Sequence, residues 1–248
     1  MEIFTFVYQT IMVTKGKFLY PRLAQDCGNL IVIANGMTTE TQHINSVTKG
    51  LLENGFLHLT DQTEEQLNEL INSVGQVIFT TDVVVKPESK GMVTSARGLD
   101  YHTDHHKAKY IIWYCYKQTD LGGDSILMDA QKIYDQLSDD HKQQLTAVEL
   151  FEHKIFPDDK ESYPFVAIDE NGNRKFYYSF WLVKNEDKQN PAMLEFQRLI
   201  KQTEPIRLNL KERDILVVDN HRIFHGRTPI EGSKDRFLKR FWLTANNS

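Results

Sequence analysis

The densest run of ligand-type side chains is Asp100-Tyr101-His102-Thr103-Asp104-His105-His106. On an extended backbone successive side chains point to opposite faces, so His102 and Asp104 point the same way. One imidazole and one carboxylate on a shared face can give two ligands to a single metal ion. A third must come from elsewhere. Downstream, Asp219-Asn220-His221-Arg222-Ile223-Phe224-His225-Gly226-Arg227 follows the apolar run Ile215 to Val218. His221 and His225 have the same parity, and either can be the third ligand. Two histidines and one carboxylate on one side of a metal leave three positions open, the arrangement with which non-heme Fe(II) oxygenases hold a co-substrate and dioxygen together. Taken alone, His-X-Asp is a weak signal, and a chance surface match is the plain alternative.

Eleven residues beyond His225, Arg236-Phe237-Leu238-Lys239-Arg240-Phe241-Trp242-Leu243 reads as a strand by its aromatic content. Arg236, Leu238, Arg240 and Trp242 then share one face, and Phe237, Lys239, Phe241 and Leu243 the other. If the arginine face points inward, each buried guanidinium wants an anion. The alternative is an outward arginine and lysine face with the aromatics in the core.

These residues need a scaffold, and the surrounding pattern is strand-rich. Gly55 to Thr60 reads as a strand, and Thr60 or Asp61 can cap a helix whose Leu67, Leu70, Ile71 and Val74 recur at helical spacing, ended by Gly75. Val77 to Val85 is β-rich, and Pro87 to Gly98 reads as a loop that can border a site. Strands are expected at Tyr110 to Tyr116, Ser125 to Met128, Phe165 to Ile168, Lys175 to Phe180, Ile206 to Leu210, Ile215 to Val218 and Phe237 to Thr244. Helices interrupt them near Ala130 to Leu137, Asp139 to Val148 and Ala192 to Lys201, and Asn171-Gly172-Asn173 signals a hairpin turn. Residues 1–50 show only short apolar runs, Ile3 to Val7 and Leu30 to Ala34. The expected fold is mainly β, a sandwich or barrel core with helical additions, because a doubly wound sheet would alternate strand and helix more regularly. No Gly-rich phosphate loop is present.

Composition narrows the function classes. With 40% hydrophobic and 25% charged residues the chain is an ordinary globular protein, and 248 residues without linker or repeat suit one domain over 1–248. Lys+Arg 29 against Asp+Glu 34 argues against a nucleic-acid partner or an anionic membrane surface. The longest strongly apolar stretch, Tyr110 to Tyr116, is far short of a bilayer span, and no signal peptide is read. Two cysteines, Cys27 and Cys115, read as buried thiols in a reducing cytoplasm, so a cytoplasmic location is expected.

Taken together, His102-Thr103-Asp104, Gly122-Gly123-Asp124-Ser125, His225-Gly226-Arg227-Thr228-Pro229 and Asp235-Arg236 with Arg240 resemble, in this order, the taurine dioxygenase / clavaminate synthase-like superfamily of Fe(II)- and 2-oxoglutarate-dependent oxygenases. The resemblance runs from about Gly55 to Thr244. It implies a double-stranded β-helix, or jelly-roll, core. It also implies that His102, Asp104 and His225 are the iron ligands, with the His-Gly-Arg-Thr-Pro wording and the spacing to Arg236 favouring His225 over His221. By the same resemblance Arg236 grips the distal carboxylate of 2-oxoglutarate, Ser125 assists it, and Arg240 meets an acidic group of the primary substrate. Asp-Arg-Phe-Leu-Lys-Arg is closest to the amino-acid hydroxylase branch. That branch often ligates with Glu, whereas this chain has Asp104, as taurine dioxygenase does.

The implied reaction couples oxidative decarboxylation of 2-oxoglutarate by O2 to hydroxylation of an unactivated C–H bond in a small anionic or zwitterionic molecule such as an amino acid. Desaturation or cyclisation, and a peptide or carrier-tethered substrate, are the alternatives. Halogenating relatives replace the carboxylate ligand with Gly or Ala, so Asp104 disfavours halogenation. Lys175 to Leu182 carries no acid where arginine-hydroxylating relatives have acids, which disfavours a strongly cationic side chain. His105 and His106 follow the ligand pair and can reach the substrate, with loop solvation as the alternative. Tyr177, Tyr178 and Trp181 can line a pocket or pack the core, Arg227 reads as structural, and His43, His58, His141 and His153 lie in no motif. A zinc metallohydrolase is a rival, since Asp100-X-His102-X-Asp104-His105 is one substitution from the His-X-His-X-Asp-His run of metallo-β-lactamase-type hydrolases, but that family needs an αββα pattern. A jelly-roll binding module is a third reading, and it would not need three ligands and a carboxylate-binding arginine.

Overall fold

The computed structural model describes residues 47, 49–86, 88–89 and 91–246. The short apolar runs at Ile3 and Leu30, and Cys27, lie outside the described residues. After a helical turn at 49–54 the chain forms β1 (Phe56–Leu59), α1 (Glu64–Val74), β2 (Gly75–Val84), β3 (Leu99–His102), β4 (Tyr110–Lys117) and β5 (Ser125–Asp129). Helices α2 (Ala130–Asp135) and α3 (Asp139–Thr146) lead into two short hairpins, β6 (Glu149–Phe151) with β7 (Ser162–Pro164) and β8 (Val166–Ile168) with β9 (Arg174–Phe176). Then come α4 (Pro191–Gln202), β10 (Ile206–Leu208), β11 (Ile215–Asp219), β12 (Ile223–Arg227) and β13 (Phe237–Ala245).

Two antiparallel sheets carry the site. The larger runs β1-β11-β4-β13-β2, and the smaller runs β10-β5-β12-β3. Strand alternation explains why β4 and β11 are apolar throughout. Ile111, Trp113, Cys115, Leu216 and Val218 belong to one apolar cluster, together with Leu127 and Ile223 from the smaller sheet. Ile112, Tyr114, Ile215 and Val217 pack on the other face against Leu67, Leu70, Ile71 and Val74 of α1. A strand buried on both faces loses the polar alternation of a half-exposed one. A third cluster, built on Phe165, Tyr177, Phe196 and Phe224, joins the helices and short hairpins to the back of β12. This is the mainly β, two-sheet jelly-roll layering expected, not the αββα layering of a metallo-β-lactamase-type hydrolase.

Local expectations differ at element ends. The cap of α1 is Thr63, whose hydroxyl accepts from the Gln66 N–H while the Gln66 side chain accepts from the Thr63 N–H, a capping box. Neither Thr60 nor Asp61 does this, because Asp61 turns the chain at a positive φ of 54°. Gly75 does stop the helix, but in extended conformation as the first residue of β2. A Cβ there would lie 1.8 Å from the Thr244 carbonyl oxygen, so close approach to β13 is what excludes a side chain. The strand expected over Lys175 to Phe180 stops at Phe176, and Phe180–Leu182 forms a 3-10 turn. Ile206–Leu208 and Val166–Ile168 are shorter than expected, while Gly172 turns β8 into β9 at a φ of +80°. Among the described residues no helix is long and apolar enough to cross a membrane.

Candidate active site

The smaller sheet places the two histidines. His225 on β12 lies directly opposite His102 at the end of β3, with ring centroids 4.4 Å apart. Asp104 lies two residues past the end of β3, on a segment held straight from both sides. Thr103 N–H donates to the Tyr178 carbonyl at 2.6 Å, and the Tyr178 N–H donates to the Thr103 hydroxyl at 3.0 Å. The Ser179 hydroxyl donates to the Thr103 carbonyl at 3.1 Å. Asn220, wholly buried, accepts from the Asp104 N–H at 2.8 Å and donates to the Ala108 carbonyl at 2.9 Å. Extended backbone at 102–104 thus keeps His102 and Asp104 on one face. Ligand atoms of His102, Asp104 and His225 all lie within 4.8 Å of one another. His221 is elsewhere, its Nε2 2.8 Å from the His106 carbonyl oxygen.

The hydrogen bonds leave metal-binding lone pairs free. His102 Nδ1 lies 2.9 Å from the Asp100 carbonyl oxygen, which can only accept, so the proton sits on Nδ1 and Nε2 is left with its lone pair. Both ring nitrogens of His225 are buried without a hydrogen-bond partner among the described residues. Burial lowers the pKa of both imidazoles, that of His225 to about 3, assisted there by its neighbour His102. They are neutral, as ligands must be. Burial alone would raise the Asp104 carboxyl, but the Arg240 guanidinium and the imidazoles outweigh it and hold it below the usual carboxylate range. Arg240 Nη1 donates to both Asp104 oxygens at 2.9 Å, and the Trp242 indole N–H donates to Oδ2 at 2.9 Å. The donor set is two neutral imidazoles and one oriented carboxylate, which fits a divalent non-heme iron.

A cavity opens between the sheets beside this triad. Its wall includes His102, Trp113, Ser125, His225, Arg236 and Arg240. Of the two orientations the sequence leaves open, the arginine face points inward: Arg236, Leu238, Arg240 and Trp242 are all buried, while Phe237, Lys239 and Phe241 are half-buried on the other side. Arg236, only 3% exposed, is pushed down to about 10 by burial and has no carboxylate within ion-pair distance among the described residues. Its Nε donates to the neutral Gln118 side-chain oxygen at 2.9 Å.

Two sequence motifs build the floor under Arg236. Gly123 N–H donates to the Pro229 carbonyl at 2.9 Å, Thr228 N–H to the Asp124 carbonyl at 3.0 Å, and Asp124 N–H to the Thr228 hydroxyl at 2.9 Å. Ser125 then pairs with Arg227 across β5 and β12. Gly122 and Gly123 have φ of +74° and +71°, and a Cβ on Gly123 would press 2.8 Å from Thr119 and 3.3 Å from the Arg236 side chain. Arg227 is structural, its guanidinium donating to the carbonyls of Val93, Ser95 and Arg97 and so pinning residues 93–97 beside the cavity.

Other expectations place differently. His105 is wholly buried with both nitrogens engaged: Nδ1 accepts from the Lys107 N–H at 3.1 Å and Nε2 lies 3.1 Å from Asp159 Oδ1. That leaves it nothing to offer a substrate, and its contacts tie the 105–107 turn to the 152–159 loop. Tyr177 and Tyr178 are core residues, while Trp181, half-buried, stands 5.2 Å from the His102 ring and 6.1 Å from His153. Trp242 joins the site from the face it shares with Arg240, and Asn220, Gln118 and His153 carry no pattern that a single sequence displays.

A family model described as taurine catabolism dioxygenase TauD, TfdA family, matches residues 28–242. No curated protein matches the chain. Among solved structures, asparagine oxygenase in complex with Fe(II), 2S,3S-3-hydroxyasparagine and succinate is similar at 14% identity and TM-score 0.65, over 82% of this chain and 79% of that one. The non-heme iron oxygenase OrfP, with Fe and alpha-ketoglutaric acid, gives 14% identity and TM-score 0.67 over 83% and 80%. A Burkholderia xenovorans protein described as an alpha-ketoglutarate-dependent taurine dioxygenase gives 18% and 0.66 over 85% and 86%. At such identities these likenesses speak for the fold.

Proposed function

Because the chain belongs to the TauD/TfdA dioxygenase family, we propose that it is an Fe(II)- and 2-oxoglutarate-dependent oxygenase that hydroxylates a small carboxylate-bearing molecule, most simply an amino acid, with His102, Asp104 and His225 as the iron ligands. Iron, when bound with 2-oxoglutarate and O2, supplies the oxidising power that no side chain has. The observation that carries the reading is Arg236, a buried guanidinium with no carboxylate within ion-pair distance among the described residues, on the wall of the same cavity as the two imidazoles. A buried cation without a counter-ion is costly, so the site is built for an anion that arrives.

The chain's own residues then have separable tasks. Arg236 takes the distal carboxylate of 2-oxoglutarate through its planar fork, and Ser125, on the same wall, adds a hydroxyl. Trp113, Leu127 and Leu216 line the space between as apolar walls that suit a methylene chain and keep water out. Asp104 is held in one orientation by Arg240 and Trp242. Arg240 also lines the cavity and, with one edge on Asp104, presents its remaining donors to an acidic group of the substrate. The segment Lys175 to Leu182 brings Trp181 and no acid toward His102, which favours a side chain without strong positive charge. Asparagine oxygenase and OrfP, the one solved with hydroxyasparagine and the other with hydroxyarginine, support an amino-acid substrate class.

Anaerobic addition of Fe(II) and 2-oxoglutarate should give a weak visible charge-transfer band, and free amino acids should be screened by substrate-dependent succinate release. Amidating the carboxylate of an active substrate should abolish turnover. Arg236→Lys keeps the charge but loses the fork, so 2-oxoglutarate affinity should fall while iron retention stays. Unchanged co-substrate affinity in that variant would overturn the Arg236 assignment.

A further inference from the structure

We propose that Gln118 is a positioning residue for the co-substrate: its side-chain oxygen sets the plane of the Arg236 guanidinium that receives the distal carboxylate. The inference rests on the reading of Arg236 given above and extends it to a residue outside every motif in the chain.

Gln118 follows directly on β4, at the point where Lys117 pairs with Phe237 at the start of β13. Its Oε1 accepts from two donors, the Thr119 N–H at 3.0 Å and the Arg236 Nε–H at 2.9 Å. Two N–H groups aimed at one atom settle which branch of the amide is oxygen, since the flipped amide would set an NH2 against both. The other branch is therefore Nε2, and it is buried without a hydrogen-bond partner among the described residues.

The chemistry of the side chain matters as much as its place. A guanidinium is planar, so anchoring Nε orients the whole fork. Glutamate is the ordinary partner of a buried arginine, and at position 118 it would neutralise Arg236 before any ligand came. A neutral amide holds Arg236 by geometry and leaves its charge for an incoming anion. Packing from the other side, where a Cβ on Gly123 would come within 3.3 Å of Arg236 Nε, leaves little room for a second protein group there.

The test is equilibrium binding of two probes to the full chain loaded anaerobically with Fe(II): 2-oxoglutarate, and 2-oxopentanoate, which lacks the distal carboxylate. Gln118→Glu retains both acceptor bonds and adds a charge; Gln118→Met removes the amide at similar volume. We expect 2-oxoglutarate to bind roughly a hundredfold more weakly to the Glu variant and about tenfold more weakly to the Met variant. Binding of 2-oxopentanoate should stay within about twofold in both, one such factor being small beside a single hydrogen bond. A Gln118 that served only to hold its turn would leave 2-oxoglutarate affinity in Gln118→Glu unchanged, with an equal or higher thermal midpoint, and that result overturns the proposal. Equal weakening of both probes overturns it too. If both Gln118 variants bind normally while Arg236→Lys does not, Gln118 alone is misassigned; if Arg236→Lys also binds normally, the reading of Arg236 fails and this inference with it.

Discussion

His102, Asp104 and His225 form one cluster of ligand-type side chains, and His105, His106 and Glu152 form a second, each with its ligand atoms within 4.8 Å. The two share one stretch of chain and nearly the same residue types, yet their hydrogen bonds differ. In the first, His102 bonds the Asp100 carbonyl through Nδ1, and both nitrogens of His225 lack a hydrogen-bond partner among the described residues. In the second, His105 Nδ1 accepts from the Lys107 N–H, so its Nε2 carries the proton and faces Asp159, while His106 Nε2 meets Glu152. Glu152 also accepts from the Lys160 N–H, and Asp159 from the N–H groups of Ile155 and Phe156 and from the Lys107 ammonium. A histidine whose second nitrogen already accepts a hydrogen bond has no proton to place there when a metal takes the first. Residue type and proximity are common to both clusters; free lone pairs belong to the first.

The comparison breaks most visibly at His225. His225→Ala should remove turnover and most iron retention, and full activity in that variant would move the ligand role elsewhere. Arg240→Ala comes next. With its bidentate partner gone, the buried Asp104 charge is uncompensated, and metal-free protein should unfold about 3 kcal/mol more easily. Added Fe(II) should recover most of that loss, as thermal denaturation with and without metal would show. The loss reaches the iron site because Arg240 is bonded to Asp104 itself. Glu152→Gln should cost about 1–3 kcal/mol in unfolding free energy, yet leave iron at one equivalent per chain in a binding titration. A drop from two equivalents to one would erase the distinction between the clusters.

The smallest effect concerns His153, which lies near both clusters, its ring 6.4 Å from His105. Burial is the main cause that pushes it down to about 4, and Asp104 opposes the shift. Between pH 6.5 and about 4 the unfolded chain protonates this imidazole and the folded chain does not. Stability from this group is therefore present above pH 6.5 and lost as pH falls through that window. His153→Asn should flatten the acid limb of the stability–pH profile by up to one proton; parallel profiles would show that His153 takes no part.

Much of the site was legible from parity and motif order. His102 and Asp104 share a face because 102–104 is extended, and Arg236 and Arg240 share one because β13 alternates. Alternation suggests both pairings, but Asp104 lies past the end of β3 and keeps its place through the bonds of Thr103 to Tyr178 and Ser179 and of Asp104 to Asn220. The cap at Thr63 was legible in principle, since Thr63 and Gln66 have capping-box spacing, but the turn at Asp61 that displaces the helix start follows from contacts such as the Asp61 N–H to Asp214.

The sequence by itself determined the strand-rich class, which side chains share a face near Arg236 and Arg240, and the set of candidate ligands, because side-chain alternation and turn chemistry act within a few residues of chain. That the arginine face points inward was decided by the packing of the sheets. Tertiary structure decided which candidates meet. His225 faces His102 and His221 does not, through the register of β12 on β3. Arg240 finds Asp104, 136 residues away, while the Arg236 Nε finds the Gln118 amide oxygen. His105 spends both nitrogens on the loop that returns at Asp159. A hydrogen bond or an ion pair depends on groups brought to within a few ångströms from distant parts of the chain, and only the folded register of two sheets sets those distances.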